Sequence, residues 1–352
     1  MNMQNFGLIR IGTGRASLQS IPIPRVPAGH LLVRTVAVAL NPTDWTTLDA
    51  RGDNGTLVGC DYAGIVEEVG EAVTKTFKPG DRVAGFGHGG NDANPETGAF
   101  ARLIVVKGDI QMRIPDNISF EAACSVGVGV MTTGYGLYNI LDLPPPVSSQ
   151  QCEDHQQILI YGGSTATGSI AIQFAKLSGW KVVTVCSPKY FDFVKDLGAD
   201  AAFDYRSPHV GKQIYDETEG KISMVFDTVA LESTAAICAA AIGPRGGHYC
   251  NLLGAECPRT DVKSTFFLGY DMSGESYKFE GDTYEANHEA FLFGTKFAEA
   301  AETLWAKGAW RPHPQRIETG GLLGVSGGLQ EMREGKVSGV KLVYLVDETK
   351  WT

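Results

Sequence analysis

The 352-residue sequence has no apolar run approaching the ~20 residues that a helical membrane span requires, which excludes such a span. Its first residues show no charged, apolar and small-residue succession of a secretory leader, so the chain is expected to work in the cytoplasm. Cysteine is scarce: Cys60, Cys124, Cys152, Cys186, Cys238, Cys250 and Cys257 are an odd number with no C-x-x-C pair. That argues against a disulfide framework, and they read as reduced thiols. Positive charge is also short. Thirty Lys and Arg stand against 40 Asp and Glu, and the net charge of -10 disfavours nucleic acid or an anionic membrane as partner.

The chain does have a hydrophobic fraction of 43%, enough at this length for a large core and two domains. Its most informative stretch is 157–189. Ile158, Leu159, Ile160 and Tyr161 form a short apolar run. Ile170, Ile172, Phe174, Ala175 and Leu177 then recur on one helical face until Gly179, and a second apolar run covers 182–185. Strand, turn, helix and strand in succession are half of a doubly wound dinucleotide-binding fold, with a helix N-terminus placed to receive a pyrophosphate. Gly163 to Gly168 keeps the outer glycines of G-x-G-x-x-G but puts Thr165 in the middle, so its weight comes from its context. After the second strand an NAD site carries an Asp or Glu. Here Cys186-Ser187-Pro188-Lys189 offers a hydroxyl and a cation suited to the 2′-phosphate of NADPH.

Before residue 150 the texture is different. Residues 30–40 and 64–70 read as strands, and 79–85 as a turn feeding a third, which together suggest a small β-rich barrel. Residues 143–154 break all periodicity and read as a loop.

Ala39 to Trp45 resembles an N-P-x-D turn, Gly59 to Val66 a G-x-D-x-A-G-x-V strand, and Lys78 to Val83 a G-D-R-V turn. With the nucleotide-binding motif in the right order, these resemble the medium-chain dehydrogenase/reductase superfamily. The resemblance implies an α/β fold, with a GroES-like β-rich barrel joined to a Rossmann domain with a doubly wound parallel sheet. The expected division is 1–154 for the first part of the barrel domain, 155–296 for the NADPH-binding domain, and 297–352 for a segment returning to the barrel. Zinc enzymes of the superfamily need a Cys, a His and a further Cys or carboxylate, and a four-cysteine lobe. Here Cys60 stands in place of that histidine, and Gly87 to Asn94 contains His88 but no cysteine, so no zinc site is expected. His88 reads as an exposed loop histidine, and Cys60 as a small buried hydrophobe.

Within the zinc-free branch, the strings Tyr161 to Thr167, Cys186 to Pro188, Phe203 to Arg206 and Gly335 to Gly339 resemble fungal trans-acting enoyl reductases of polyketide synthases. By position, that resemblance implies NADPH contacts at Thr43, Asp44, Trp45, Thr132, Ser164, Thr165, Ala166, Thr167, Ser187, Lys189, Tyr205, Leu252 and Gly339. It implies substrate contacts at Thr133, Gly134, Tyr135, Gly136, Leu137, Tyr138, Asn139 and Ile140, and at Leu268, Gly269, Tyr270, Asp271 and Met272. The implied partner is a polyketide synthase, or a synthase–peptide synthetase hybrid, presenting an acyl chain on its carrier protein. A monomer is favoured.

Hydride addition to an enoyl thioester leaves an enolate that must be held and then protonated. Thr132 offers a hydroxyl for this, or with Thr133 merely caps a helix. Tyr62 offers a phenolic proton, or is an aromatic wall of the cleft expected between the domains. Water is the third source. Glycines 127, 129, 134 and 136 would keep one wall of that cleft low, with 266–272 opposite, though an apolar run of this kind also reads as a core strand. Where related enzymes often carry a lysine, Thr46 offers only a weaker hydroxyl. Three readings remain: an NADPH-dependent enoyl reductase, a free-standing quinone or enone reductase, and a non-catalytic partner docking on a synthase.

Overall fold

The computed structural model describes residues 4–50, 52–146 and 156–350. The expected loop at 143–154 lies outside the described residues from 147 onward. The chain forms two compact units, one of residues 1–128, 270–307 and 312–352, the other of 129–269 and 308–311. The chain therefore changes unit at Val128/Gly129 and Gly269/Tyr270, whereas the sequence reading placed the changes at 154/155 and 296/297. The later expected change falls in the middle of one continuous helix, His288–Ala306. That helix belongs to the barrel unit because Gly294 leaves room for Met272 and Ile110, which a Cβ there would crowd at 3.0 and 3.4 Å, and Glu302 pairs with Lys75 at 2.6 Å and Arg113 at 3.0 Å. Among the described residues no helix is long and apolar enough to cross a membrane.

The second unit is built on six parallel strands in the order Ala201–Asp204, Lys181–Cys186, Gln157–Tyr161, Met224–Asp227, Gly247–Asn251 and Val262–Phe266. Parallel strands are covered on both faces, and Ile158, Leu159 and Ile160 are accordingly all buried. The winding reverses between Gln157–Tyr161 and Met224–Asp227. In such sheets ligands bind beyond the carboxyl ends of the strands at that reversal. Helix Ala166–Leu177 follows the first strand, and Thr165 caps it by accepting from the Gly168 N–H at 2.9 Å, a cap of about 1 kcal/mol. Helix Gly127–Gly134 continues into a wider-wound segment, Tyr135–Ile140.

The barrel unit holds a seven-stranded sheet. It runs Gln315–Glu318, Lys341–Leu345, His30–Ala39, Asp61–Val69, Arg82–Phe86 and Met112–Arg113, with Leu103–Lys107 also paired to His30–Ala39. Leu31, Val33, Val66, Val83, Phe100, Ile104 and Tyr344 fill its interior. The returning strand Lys341–Leu345 brings a buried cation into this unit. Lys341 Nζ donates to Asp61 and, at 2.8 Å, to Asn41 Oδ1, while Asp61 Oδ1 also accepts from the Val128 N–H at 2.6 Å. Both partners are almost completely buried.

Removing the cation would leave a carboxylate buried without a counterion. We therefore expect Lys341→Met to lower stability by about 3–5 kcal/mol in chemical denaturation. A loss within the error of the measurement would mean that the pair does not hold this unit together.

Candidate active site

The turn after strand Gln157–Tyr161 is shaped by close approach. Gly162 has φ +82°, and a Cβ on Gly163 would stand 2.1 Å from the Thr184 hydroxyl oxygen. Side chains at these positions would collide with Thr184, Ile172, Thr228 and Val229, so glycine lets the turn run close against its neighbours ahead of the helix N-terminus, where an anionic diphosphate fits. Ser164, Thr165, Ala166 and Thr167 lie in this turn and the first turn of the helix. Thr165 Oγ1 also sits 2.9 Å from Thr228 Oγ1, at the end of the neighbouring strand Met224–Asp227.

Strand register builds the second part of the site. Cys186 pairs with Asp204 in adjacent parallel strands, so the residues following each emerge side by side: Ser187 and Lys189 from one, Tyr205 and Arg206 from the other. Lys189 is exposed with its ammonium 4.7 Å from the Tyr190 ring, and Tyr205 is 48% exposed. Arg206 was quoted in the sequence motif but not assigned a role. It lies over Tyr205, and its guanidinium holds the half-buried Asp204 carboxyl below its ordinary range by hydrogen bonding. The carboxylate at this strand end is thus paired with a cation.

Helix Gly127–Gly134 is fastened to the same turn, because Thr133 Oγ1 donates to the Thr167 carbonyl at 3.3 Å. Thr132, its half-buried neighbour, is inside the helix, so neither threonine caps it. Gly129 lets this helix cross helix Ala166–Leu177, since a Cβ would meet Ile170 at 2.8 Å; Gly136 admits the Phe226 ring in the same way. Gly127 approaches the Gly85 carbonyl. These glycines serve close packing, which corrects their reading as a low wall. Tyr135, Gly136 and Leu137 are buried, and Tyr138 donates to the Phe174 carbonyl at 3.0 Å. Asn139 alone of 133–140 is exposed, while Leu252, Leu268 and Gly269 are half-buried.

In the barrel unit, helix Pro42–Asp49 carries Thr43, Asp44 and Trp45. Trp45 packs half-buried on the barrel core. Asp44 turns inward, Oδ2 accepting from the Asn41 N–H at 2.6 Å, and burial pushes its pKa up to about 7. The nearby Asp61 charge adds to that rise, and the Asn41 bond and the Cys60 thiol oppose it. Thr43 Oγ1 lies 3.0 Å from Tyr270 Oη, which lies 3.5 Å from Cys60 Sγ. His88 is 8% exposed and stacks on Tyr270, centroids 3.5 Å apart and 1° from parallel, which overturns its reading as an exposed loop residue. Tyr277 closes on its edge at 5.1 Å. Tyr270 and Met272 are buried in this unit, and Asp271 accepts from Tyr277 Oη at 2.7 Å. Tyr62 is wholly buried and donates to Gln111 Oε1 at 2.9 Å, which places it in the core, away from any cleft wall. Gly339 lies just before strand Lys341–Leu345 with φ +69°.

Residues 27–116 match the family described as the alcohol dehydrogenase GroES-like domain, and residues 166–267 the family described as zinc-binding dehydrogenase. A trans-enoyl reductase of Alternaria alternata is 45% identical over 337 residues, 95% of this chain and 96% of that protein. Another from Aspergillus sclerotiorum is 43% identical over 96% of this chain and 99% of that protein. The chain belongs to the trans-enoyl reductases of the medium-chain dehydrogenase/reductase superfamily. The crystal structure of CurK enoyl reductase shares the fold, with TM-score 0.74 at 19% identity over 97% of this chain and 99% of that one. Membership makes the protein an oxidoreductase that uses a nicotinamide cofactor, and the glycine turn fits one.

Zinc does not fit the residues present in this trans-enoyl reductase. Among the described residues no three His, Cys, Asp or Glu side chains converge. The Cys60 thiol is covered by Tyr270, and burial raises its pKa well above the ordinary thiol range, so the thiolate that zinc requires is disfavoured.

Burial holds His88 neutral, its pKa lowered from 6.5 to about 3. Between these values the unfolded chain binds the extra proton, so stability falls as pH drops from about 6.5 towards about 3. His313 contributes with the same sign, and Asp44 with the opposite sign from about 7 downward. His88→Phe keeps the ring stack and is expected to flatten the acid-induced loss of stability, read from denaturation midpoints across that window. An unchanged acid sensitivity would show that His88 is not held neutral.

Proposed function

We propose that this trans-enoyl reductase uses NADPH, without zinc, to reduce the α,β-double bond of a polyketide acyl thioester presented by the carrier protein of a synthase or synthase–peptide synthetase hybrid. The substrate class rests on the close relatives, which are named trans-enoyl reductases. The observation that supports NADPH is the register of two strands, Cys186 beside Asp204, which gathers Ser187, Lys189, Tyr205 and Arg206 at one sheet edge. A hydroxyl, a phenol and two cations suit a 2′-phosphate, which takes charge-assisted hydrogen bonds.

When bound, the reduced nicotinamide supplies a hydride to the β-carbon. The chain's own residues would bind and orient the cofactor: the turn at 162–168 would receive the diphosphate with Leu252 in the same unit, and the family resemblance implies further contacts at Thr43, Trp45 and Gly339. Thr132, on a helix tied to that turn through Thr133, holds the thioester oxygen as charge develops on it. Leu268, Gly269, Asn139 and Ile140 are the stretches left to meet the acyl chain.

Lys189→Ala is expected to weaken NADPH binding and leave NADH binding unchanged. The loss should lie at the low end of the ~1.5–3 kcal/mol of a hydrogen bond to a charged group, because the exposed ammonium is well solvated. Cofactor fluorescence titration measures it. Equal affinity of the unmodified protein for the two cofactors would contradict the assignment.

A further inference from the structure

The enoyl-reductase reading leaves the source of the second hydrogen unassigned, and Tyr62 is walled into the core. We propose that Asp44, Cys60, Tyr270 and Thr43 form a proton relay that delivers to the α-carbon of the reduced substrate through the Thr43 hydroxyl. The proposal rests on the enoyl-reductase reading above. Its geometry lies wholly within the barrel unit. Thr43 is half-buried, its Oγ1 is 3.0 Å from Tyr270 Oη, and Tyr270 Oη is 3.5 Å from Cys60 Sγ. Asp44 neighbours the Cys60 thiol closely enough that each acts on the other's protonation. Burying hydrogen-bonding side chains next to one another requires each to be desolvated.

The step balances in atoms and charge. Thr43 gives its hydroxyl proton to the α-carbon as the new C–H bond forms, and takes the phenolic proton of Tyr270. Tyr270 takes the thiol proton of Cys60, and Cys60 takes the carboxyl proton of Asp44. The hydride and this proton complete the reduction, and Asp44 ends as a carboxylate.

A second observation marks the route of return. Asp44 Oδ1, Arg10 Nε and Thr56 Oγ1 are each buried without a hydrogen-bond partner, and the three residues line one small cavity. About 10 Å³ there is open to the centre of a water molecule, the room of a single one. A donor, an acceptor and a hydroxyl around that space would hold a water that reprotonates Asp44. Asp44 is faced by the paired charges of Asp61 and Lys341, by Arg10 from the first strand, and by Cys60, with Tyr270 and neutral His88 beyond the thiol. Burial keeps its carboxyl pKa near 7, where it can both hold and release a proton.

Tyr270→Phe tests the relay, because it keeps the stack on His88 and removes only the hydroxyl. With NADPH and crotonyl-coenzyme A, kcat should fall about a hundredfold at unchanged KM for NADPH, and the limb of its pH profile near 7 should disappear. A second readout needs no turnover. In the intact protein the infrared band of a protonated carboxyl should titrate near 7, persist in Tyr270→Phe and be absent from Asp44→Asn. Unchanged kcat and pH limb in Tyr270→Phe would overturn the relay alone, as would the absence of that band from the unmodified protein. If the unmodified protein shows the band but consumes no NADPH with any enoyl thioester, the reduction reading fails and the relay falls with it.

Discussion

A single buried ion pair, Lys341 with Asp61, is the constraint on which the barrel unit depends. The lysine arrives on the last strand and the aspartate on a central one. Between them they hold Asn41, the residue that opens the helix carrying Thr43 and Asp44, and the backbone at Val128, where the chain leaves the unit. Two charges cannot stay in such a place unless each satisfies the other, so the pair fixes the register of the returning strand as much as it stabilises it. Its partial negative end is also felt at Asp44, whose carboxyl the Asp61 charge helps to keep protonated.

The same neighbourhood shows why zinc does not fit the residues present. A thiol, a carboxyl and an imidazole are present at Cys60, Asp44 and His88, but an aromatic ring from the start of the returning segment lies between them. Tyr270 stacks on His88 and bonds toward Cys60, so the imidazole is neutral packing and the thiol stays protonated. Cys60, Tyr270 and the half-buried Thr43 form a hydrogen-bonded series instead. In a reductase whose hydride comes from a cofactor, proton delivery is what such a series can contribute.

The nucleotide-binding half was legible because its signals are local. The apolar run at 158–161, the glycine turn and the helical period to Leu177 all lie within one short stretch, and parallel pairing followed from them. The pairing of Cys186 with Asp204 puts Arg206 and Lys189 after the same end of neighbouring strands, and no local pattern announces that register. The barrel's turns were equally readable from their motifs. His88 was not, because a histidine among glycines and asparagines looks solvated, and its burial comes from Tyr270 and Tyr277 far along the chain. Tyr62 misled for the same reason: its phenol finds Gln111 across the barrel, and nothing near it in sequence shows that its hydroxyl is already used. The apolar stretch 266–272, which reads as a ligand wall or a core strand, held the available signal in Tyr270. In the structure Tyr270 covers Cys60 and stacks on His88.

Label transfer tests the assigned chemistry most directly. NADPH deuterated at the transferable position of the nicotinamide, incubated with this protein and a carrier-bound enoyl thioester in ordinary water, should yield a saturated acyl chain with deuterium at the β-carbon and a solvent-derived hydrogen at the α-carbon. Recovery of the unsaturated chain, or a saturated chain with no deuterium at the β-carbon, would contradict it.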